Sequence, residues 1–412
     1  MKRWLFFLCC LLALLWPSAV AAGGLPELRL SLRGGTAALQ REAWTQPVTL
    51  SVVMPDGREV YRTRRAAVKL HGHSTAAKAK KPMALRLPSA APLLGMAPGR
   101  RWVLLANVMD HSHLRNRLAF AMARLTSLPW TPDSRFVRVT VDGRPQGCYL
   151  LAEAVRVAPG RVDVGGRGGF LVELDAYRDA PAGFLTPQRR LPVGVRWPAD
   201  PSPRQLRQIR SFFAAVEQQL YGPQADAGSL WSKWLDLPSF ADWWLLHELA
   251  QNAEPNGPRS CFMYRPAGGR LHAGPVWDFD LAFIDVGLDA GGDLRPARLR
   301  RPDAVLLTAD SLYCRRALWF DRLLADTVFR RAVQRRWREL SPRFHALADS
   351  IGLWHDRLAA DARTDALLWP GADPARFDDA PTFDASADRL RRTYLLRLAR
   401  LDSLLGGGAL WP

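Results

Sequence analysis

Apolar and polar residues alternate through much of the first third of the chain, which is the pattern of strands that bury one face. Residues 48–53 alternate, 54–57 carry a Pro-Asp-Gly turn, and 58–62 return as a hairpin partner. A second hairpin is predicted from residues 135–151 around the turn Asp142-Gly143. We therefore expect a small sheet in this half, which residues 83–87 extend.

Helical spacing of apolar residues predicts one helix within this strand-rich half, at residues 112–125 with Ser112 as its cap. After a further strand at 170–175 the chain becomes mainly helical. Further helices are predicted over 202–220, 237–251, 311–340 and 385–405.

A glycine-rich segment, residues 165–169, separates the two patterns and is the best candidate for a hinge. It divides the chain into a strand-rich unit over 25–164 and a mainly helical unit over 165–412. The predicted class is α+β, with a ligand cleft expected where the two units meet.

The first 21 residues have the three parts of a secretory signal peptide: a basic start, a short apolar core and an Ala-x-Ala site that ends at Ala21. We expect export to the cell envelope, the periplasm or the medium. No later segment is long and apolar enough to span a bilayer. Three cysteines remain after cleavage, which allows at most one disulfide.

The formal net charge of +18 favours anionic partners, among them a phosphorylated or carboxylated envelope component. Specific nucleic-acid binding is not predicted, because the chain has no zinc finger, no basic zipper and no aromatic strand motif.

Residues 274–283 hold Asp278 and Asp280 within an otherwise apolar run. If the run is a strand, residues two apart share a face, so both carboxylates would reach one cation. Ionised carboxylates in apolar surroundings need such a partner. The alternative is that one carboxylate caps the next segment and the other pairs with an arginine.

Lysine is rare, with six residues against fifty-one arginines, yet four of the six are Lys69, Lys78, Lys80 and Lys81. Gly72 and Ser74 lie in the same window. A compact ammonium beside small residues with accessible N–H groups suits phosphate. The alternative is a solvated basic loop.

Short stretches over roughly residues 48 to 340 resemble the CotH kinase family, a group of secreted or envelope-associated atypical protein kinases. The matching stretches are Gly72-His-Ser-Thr75, Lys80-Lys81-Pro82, Trp102-Val-Leu-Leu-Ala-Asn107, Leu114-Arg-Asn116, Gly147-Cys-Tyr-Leu-Leu-Ala-Glu153, Gly169-Phe-Leu-Val-Glu-Leu-Asp175, Glu248-Leu-Ala-Gln-Asn252 and Gly274-Pro-Val-Trp-Asp-Phe-Asp-Leu-Ala-Phe283. The resemblance implies a divergent protein-kinase-like bilobal fold, ATP as donor, Mg²⁺ or Mn²⁺, and transfer to Ser/Thr hydroxyls of a protein substrate.

It also implies roles for particular residues. Asp278 would bind the metal, with Asp280 in the place of the glycine of ordinary kinases. Lys80 or Lys81 would hold phosphates together with Gly72 and Ser74; the alternation of residues 81–87 favours Lys81 as the inward-facing one. Glu153 would lie near the adenine, the alternative being a surface ion pair with Arg156.

The chain departs from the family pattern at residues 252–254, where the common Asn-x-Asp is Asn-Ala-Glu. Glu254 is the candidate base, but its extra methylene shifts the carboxylate, and Asn256 or Ser260 could take part of the metal or base role. The helix at 112–125 also lacks the glutamate of the usual Lys–Glu pair.

Two further functions therefore stand beside the kinase: a catalytically weak kinase-fold scaffold of the cell surface or coat that binds nucleotide or anionic partners, and a sensor of phosphorylated ligands. The pairs His71/His73 and His111/His113 have a spacing that metal ligands on a strand can share, but no Cys, Asp or Glu cluster accompanies the first pair, so polar loop histidines are the favoured interpretation.

Overall fold

A computed structural model describes residues 24–223, 228, 230–284, 286–288, 294–296, 312–370, 380 and 382–407. The predicted signal peptide lies outside these residues. Among the described helices, none combines the length and the apolarity needed to cross a bilayer.

The first half of the chain forms a closed barrel of seven strands in the order β1-β2-β3-β4-β5-β7-β6. Both predicted hairpins are confirmed, and β1 closes the barrel by pairing with β6 in parallel. The strands are β1 Glu27–Ser31, β2 Val48–Val53, β3 Glu59–Leu70, β4 Met83–Ala91, β5 Gly99–Leu105, β6 Ser134–Val141 and β7 Arg144–Glu153.

Alternation fills the barrel, because every second side chain of each strand points inward. Leu85 of β4, Trp102 of β5 and Leu151 of β7 are fully buried in this interior. The expected small sheet is thus a closed barrel, and with it the expected kinase-like pair of lobes is not clear in the structure.

A second sheet has the order β12-β11-β8-β10-β9, all antiparallel. All five residues of its central strand β8 are buried, as expected for a strand covered on both faces. Its strands are β8 Phe170–Leu174, β9 Gly183–Leu185, β10 Pro192–Trp197, β11 Cys261–Arg265 and β12 His272–Ala273, and a separate hairpin pairs β13 Val286–Leu288 with β14 Leu294–Pro296.

The helices are α1 Arg115–Arg124, α2 Pro203–Tyr221, α3 Leu237–Ala250, α4 Phe320–Leu323, α5 Thr327–Leu368 and α6 Phe383–Leu405. Three short 3-10 turns, Thr36–Ala38, Thr75–Ala77 and Glu254–Asn256, and a π turn at Leu230–Trp234 complete the list. The predicted helices at 202–220, 237–251 and 385–405 are recovered. The one predicted over 311–340 is not continuous: residues 312–319 are turns, α4 is a separate short helix, and α5 begins at Thr327 and runs far beyond residue 340.

Helix α3 is the centre of the second half, with every residue from Ser239 to Ala250 buried. Helix α1 packs against α3 and α5, and its apolar face belongs to a core that the second half shares with the outer face of barrel strands β5 and β7. The remaining cysteines, Cys148, Cys261 and Cys314, are buried free thiols. Apolar packing therefore holds the two halves together, and the domain boundary after residue 164 stays a prediction.

Candidate active site

A cleft of about 600 Å³ lies between the end of the barrel and the second sheet. Its walls come from the β3–β4 loop at residues 70–75, the segment 105–109 after β5, residues 173–179 at the end of β8, and residues 254–260. Its floor includes residues 277–281, which carry the two aspartates. Five segments that are distant in sequence therefore contribute to one cavity.

The strand predicted for residues 277–281 is wrong. The segment is irregular and turns at Asp280, and Asp278 has a left-handed backbone with φ 60°. A non-glycine residue is uncommon in that region and is often found at functional sites. Both carboxylates nevertheless line the cleft, because the turn rather than a strand face brings them there.

Asn116 and Arg115, at the start of α1, fix this turn. The Asn116 side chain accepts a hydrogen bond from the Phe279 N–H at 2.9 Å and donates to the Asp280 carboxylate. Arg115 donates to the Asp280 carbonyl at 2.8 Å. On the other side, the Asn252 side chain donates to the Asp278 carbonyl at 3.0 Å. Polar side chains from two helical segments thus position the acidic turn.

Glu254 completes a group of three carboxylates with Asp278 and Asp280. It is 7% exposed, and its Oε2 atom is buried with no hydrogen-bond partner among the described residues. Burial and, next, the charge of Asp278 raise the pKa of Glu254 well above its usual range. An unpartnered buried carboxylate oxygen is costly unless something binds it.

Burial also destabilises the ionised forms of the two aspartates. Burial raises the pKa of Asp278, against the effect of a hydrogen bond that the Ser260 hydroxyl donates at 3.3 Å. Burial and the charge of Asp278 raise the pKa of Asp280 to about 7. Hard divalent cations prefer oxygen ligands, and a cation would relieve both the repulsion and the desolvation. The donor set therefore fits Mg²⁺ or Mn²⁺.

Positive side chains face these acids across the cleft. Arg259 is close enough to Glu254 and Asp278 to oppose the rise of both pKa values. Arg41, Lys69 and Arg196 also line the cavity. Acids at the floor with cations on the walls form an arrangement that can hold a metal-bound phosphate chain.

Gly72 and Ser74 of the predicted phosphate loop do line the cleft. Gly72 has φ 77°, and a Cβ added there would lie 2.6 Å from Oγ1 of Thr75. The loop can therefore take this path only with glycine at position 72.

Lys80 and Lys81 are not brought to the cleft. Lys80 is 1% exposed; its ammonium lies 2.6 Å from Asp365 of α5 and donates to the Cys148 carbonyl at 2.5 Å. Lys81 is half-buried and donates to the Ala76 carbonyl at 3.0 Å. The preference for Lys81 as the buried lysine was wrong, because Lys80 is drawn into the contact between barrel and α5. The lysine that lines the cleft is Lys69.

Glu153 and Asn256 also lie outside the cleft lining. The Glu153 carboxylate is buried, pairs with Arg161 at 3.0 Å and accepts the Asp133 N–H at 3.0 Å. Its partner is thus Arg161 and not Arg156. The Asn256 side chain donates to the Tyr313 carbonyl at 3.3 Å. Both side chains are engaged in holding the protein together.

Reasoning from sequence missed an acidic wall of the cleft around His73. The ring of His73 stacks on Tyr177 with centroids 4.1 Å apart, and its Nε2 lies 2.8 Å from Asp179. Asp175 joins them, so that three potential ligand atoms lie within 4.8 Å. Arg196 pairs with Asp179 at 2.7 Å, which balances part of the charge. These acids are some hundred residues from His73 in sequence, so spacing gave no signal.

Comparison with family models places residues 68–400 in one match, to the CotH kinase protein family. The matched range contains the phosphate loop, all three acids of the cleft floor and helix α5. No curated protein gave a match. Because the family match covers most of the chain and includes the whole candidate site, the protein belongs to the CotH kinase family.

Proposed function

We propose that this protein is an exported, divalent-metal-dependent kinase that transfers the γ-phosphoryl group of ATP to Ser/Thr hydroxyls of a protein. The observation that carries the proposal is the unpartnered buried oxygen of Glu254 beside Asp278 and Asp280, opposite cationic walls. Membership of a kinase family supports ATP as the donor. Export rests on the sequence pattern of residues 1–21.

Asp278 and Asp280 would hold Mg²⁺ or Mn²⁺, which supplies neutralisation of the negative charge on the phosphates. The protein's own contribution is position and charge. Asn116 and Asn252 fix the acidic turn, so the carboxylates need no rearrangement when the reaction occurs.

Arg259 and Lys69 are the cleft cations for which no ion pair is found among the described residues, so both are available to phosphate oxygens. Glu254 is the candidate base. Burial raises its pKa, and a raised pKa brings a carboxylate nearer to the range in which it accepts a proton from an attacking hydroxyl.

The weakly catalytic scaffold remains the alternative, and the position of Lys80 favours it. The lysine that the family resemblance assigns to phosphate is buried against Asp365 instead. Together with glutamate at position 254, this leaves a protein that could bind nucleotide without efficient transfer.

The test is incubation of the purified protein with γ-labelled ATP and Mg²⁺ or Mn²⁺, with EDTA as the metal-free control. We expect autophosphorylation that requires the metal and falls roughly 10²-fold or more in Glu254→Gln, the usual scale for loss of a preorganised group. Glu59→Gln, on an exposed barrel strand, is the matched control and should behave as the wild type. Nucleotide binding without label transfer under either metal would support the scaffold.

A further inference from the structure

A cluster of positive charge surrounds Trp44 on the outer surface of the barrel. The Lys69 ammonium lies 5.4 Å from the centroid of the indole ring, and the Arg86 and Arg101 guanidinium carbons lie 4.8 Å and 4.3 Å from it. Three cations around one aromatic ring are a high local density, because significant cation–π contacts occur about once per 70–80 residues.

Strand register explains why these side chains meet. Arg86 of β4 is directly opposite Arg101 of β5, and Ala67 of β3 is opposite Arg86, which places Lys69 two residues further along the same face. Their neighbours Leu85 and Trp102 fill the barrel interior, so the cations must point outward. Arg156 approaches Arg101 closely enough to affect its pKa. We call Lys69, Arg86, Arg101 and Arg156, with Trp44, the basic face.

No carboxylate among the described residues forms an ion pair with the basic face; Glu42 and Asp179 act on Lys69 only at longer range. In the part of the chain that the structure describes, none of its four cations forms an ion pair, and Nε of Arg156 is buried without a hydrogen-bond partner. Burial and the charges of Arg156, Arg86 and Arg100 lower the pKa of Arg101 to about 10. Burial and Arg101 also lower the pKa of Lys69, against weaker effects of Glu42 and Asp179.

Like charges directly opposite on adjacent strands are destabilising. Neutral side chains at these positions would give a more stable barrel. Binding of an anionic ligand would explain why cations are found there instead. Since Lys69 also lines the cleft, the basic face is continuous with the candidate active site. The face spans three neighbouring strands, about 10 Å, which is the length of roughly three residues of an extended chain.

We propose that the basic face docks an acidic segment of the protein substrate, adjacent to the hydroxyl that enters the cleft. The inference rests on the proposed kinase function for the identity of the ligand. The segment's Asp or Glu side chains pair with Arg86 and Arg101, and its apolar stems contact Trp44. Acidic residues flanking the acceptor therefore increase affinity.

The first experiment measures binding without catalysis. Two fluorescent peptides share a central Ser, one flanked by Glu and the other by Gln, and their binding is followed by anisotropy. We expect the Glu peptide to bind roughly 10-fold or more tightly than the Gln peptide, and to lose this advantage as salt is raised. The salt titration uses the unaltered protein and does not depend on the folding of any variant.

The variant Arg86→Gln/Arg101→Gln should reduce binding of the Glu peptide to the level of the Gln peptide. Arg204→Gln/Arg207→Gln is the matched control, because it removes the same charge from exposed positions on α2, outside the cleft and the basic face. Circular dichroism and ATP binding check that each variant is folded. Equal loss of binding in both variants would show that peptide binding depends only on the net charge of the protein, which would overturn the proposal.

The second experiment separates this proposal from the proposed function. With labelled ATP, the ratio of kcat/KM for the Glu peptide to that for the Gln peptide should fall in Arg86→Gln/Arg101→Gln, through KM. Docking without label transfer would refute the kinase and leave the basic face in place. Label transfer with no preference for the Glu peptide would support the kinase and refute the docking role of the basic face. Stronger binding to phosphatidylglycerol vesicles or to single-stranded DNA than to the peptide would overturn the acidic-protein ligand.

Discussion

The substitution Asp280→Asn should stabilise the metal-free protein while removing its activity. The pKa of Asp280 rises from an ordinary 3.8 to about 7 in the folded protein. The difference is about 3 pKa units, and each unit corresponds to about 1.4 kcal/mol, so ionised Asp280 lowers the free energy of unfolding by up to about 4 kcal/mol. Water reaches this half-buried side chain, and we therefore expect Asp280→Asn to gain about 2 kcal/mol.

The gain should depend on pH in a definite direction. Because the folded protein holds the Asp280 proton more tightly than the unfolded chain does, the wild type loses stability as pH rises from about 4 to about 7. The asparagine variant lacks this loss. Its advantage should be small at pH 4, grow toward pH 7, and stay constant above that.

Urea unfolding in EDTA at pH 5 and pH 8 measures this difference, since the amide keeps the oxygen that accepts from Asn116. Asp110→Asn is the matched comparison. Asp110 is 1% exposed and accepts the N–H groups of Ser112 and Arg115 at 2.9 Å, so its substitution should lower stability. A less stable Asp280→Asn at pH 8, or a gain that does not change with pH, would refute the interpretation of the acidic turn.

Three further predictions test the rest of the site. Asp278→Asn should abolish phosphoryl transfer and the thermal stabilisation that Mg²⁺ or Mn²⁺ gives the wild type, with a metal-free melting temperature that does not fall; a large fall would make Asp278 a structural residue. Lys80→Met should cost about 3–5 kcal/mol of unfolding free energy, because the buried Asp365 carboxylate loses its ammonium partner and keeps, among the described residues, only the Cys148 N–H and the more distant His113. The double variant Lys80→Met/Asp365→Leu should recover much of this loss in urea unfolding, and a mild single variant would contradict the buried ion pair. Gly72→Ala should weaken ATP binding, measured by calorimetry, because the added Cβ strains a left-handed residue and displaces Thr75; unchanged affinity would separate this loop from the phosphates.

The sequence predicted local structure well where one pattern dominates. The hairpins at the start of the barrel and at β6–β7 follow from alternation and turn residues, and α3 and α6 follow from helical spacing. Barrel closure was not predictable in this way, because it depends on β1 pairing with β6, more than a hundred residues away. A short alternating strand looks the same at the edge of an open sheet and in a closed barrel.

The candidate site likewise has features that the sequence predicted and features that it did not. The sequence by itself determined that Asp278 and Asp280 lie two residues apart and that Glu254 occupies the place of the family's acid. It also predicted the loop of Gly72 and Ser74 before the strand that became β4. These features depend only on residue types and short spacings, which the sequence shows directly. The sequence could not determine which of several lysines reaches the cleft, because consecutive side chains point in different directions and the neighbouring elements decide which of them faces the cleft.

Only the tertiary structure decided that Lys80 pairs with Asp365, nearly three hundred residues later, and that Lys69 lines the cleft instead. It likewise brought His73 to Asp179 and set Arg86 against Arg101. The reason is physical: desolvation, ion pairing and hydrogen bonding act over a few ångströms in space and carry no trace in sequence separation. The amino-acid sequence specifies which charged residues are present, and the fold determines which of them face each other.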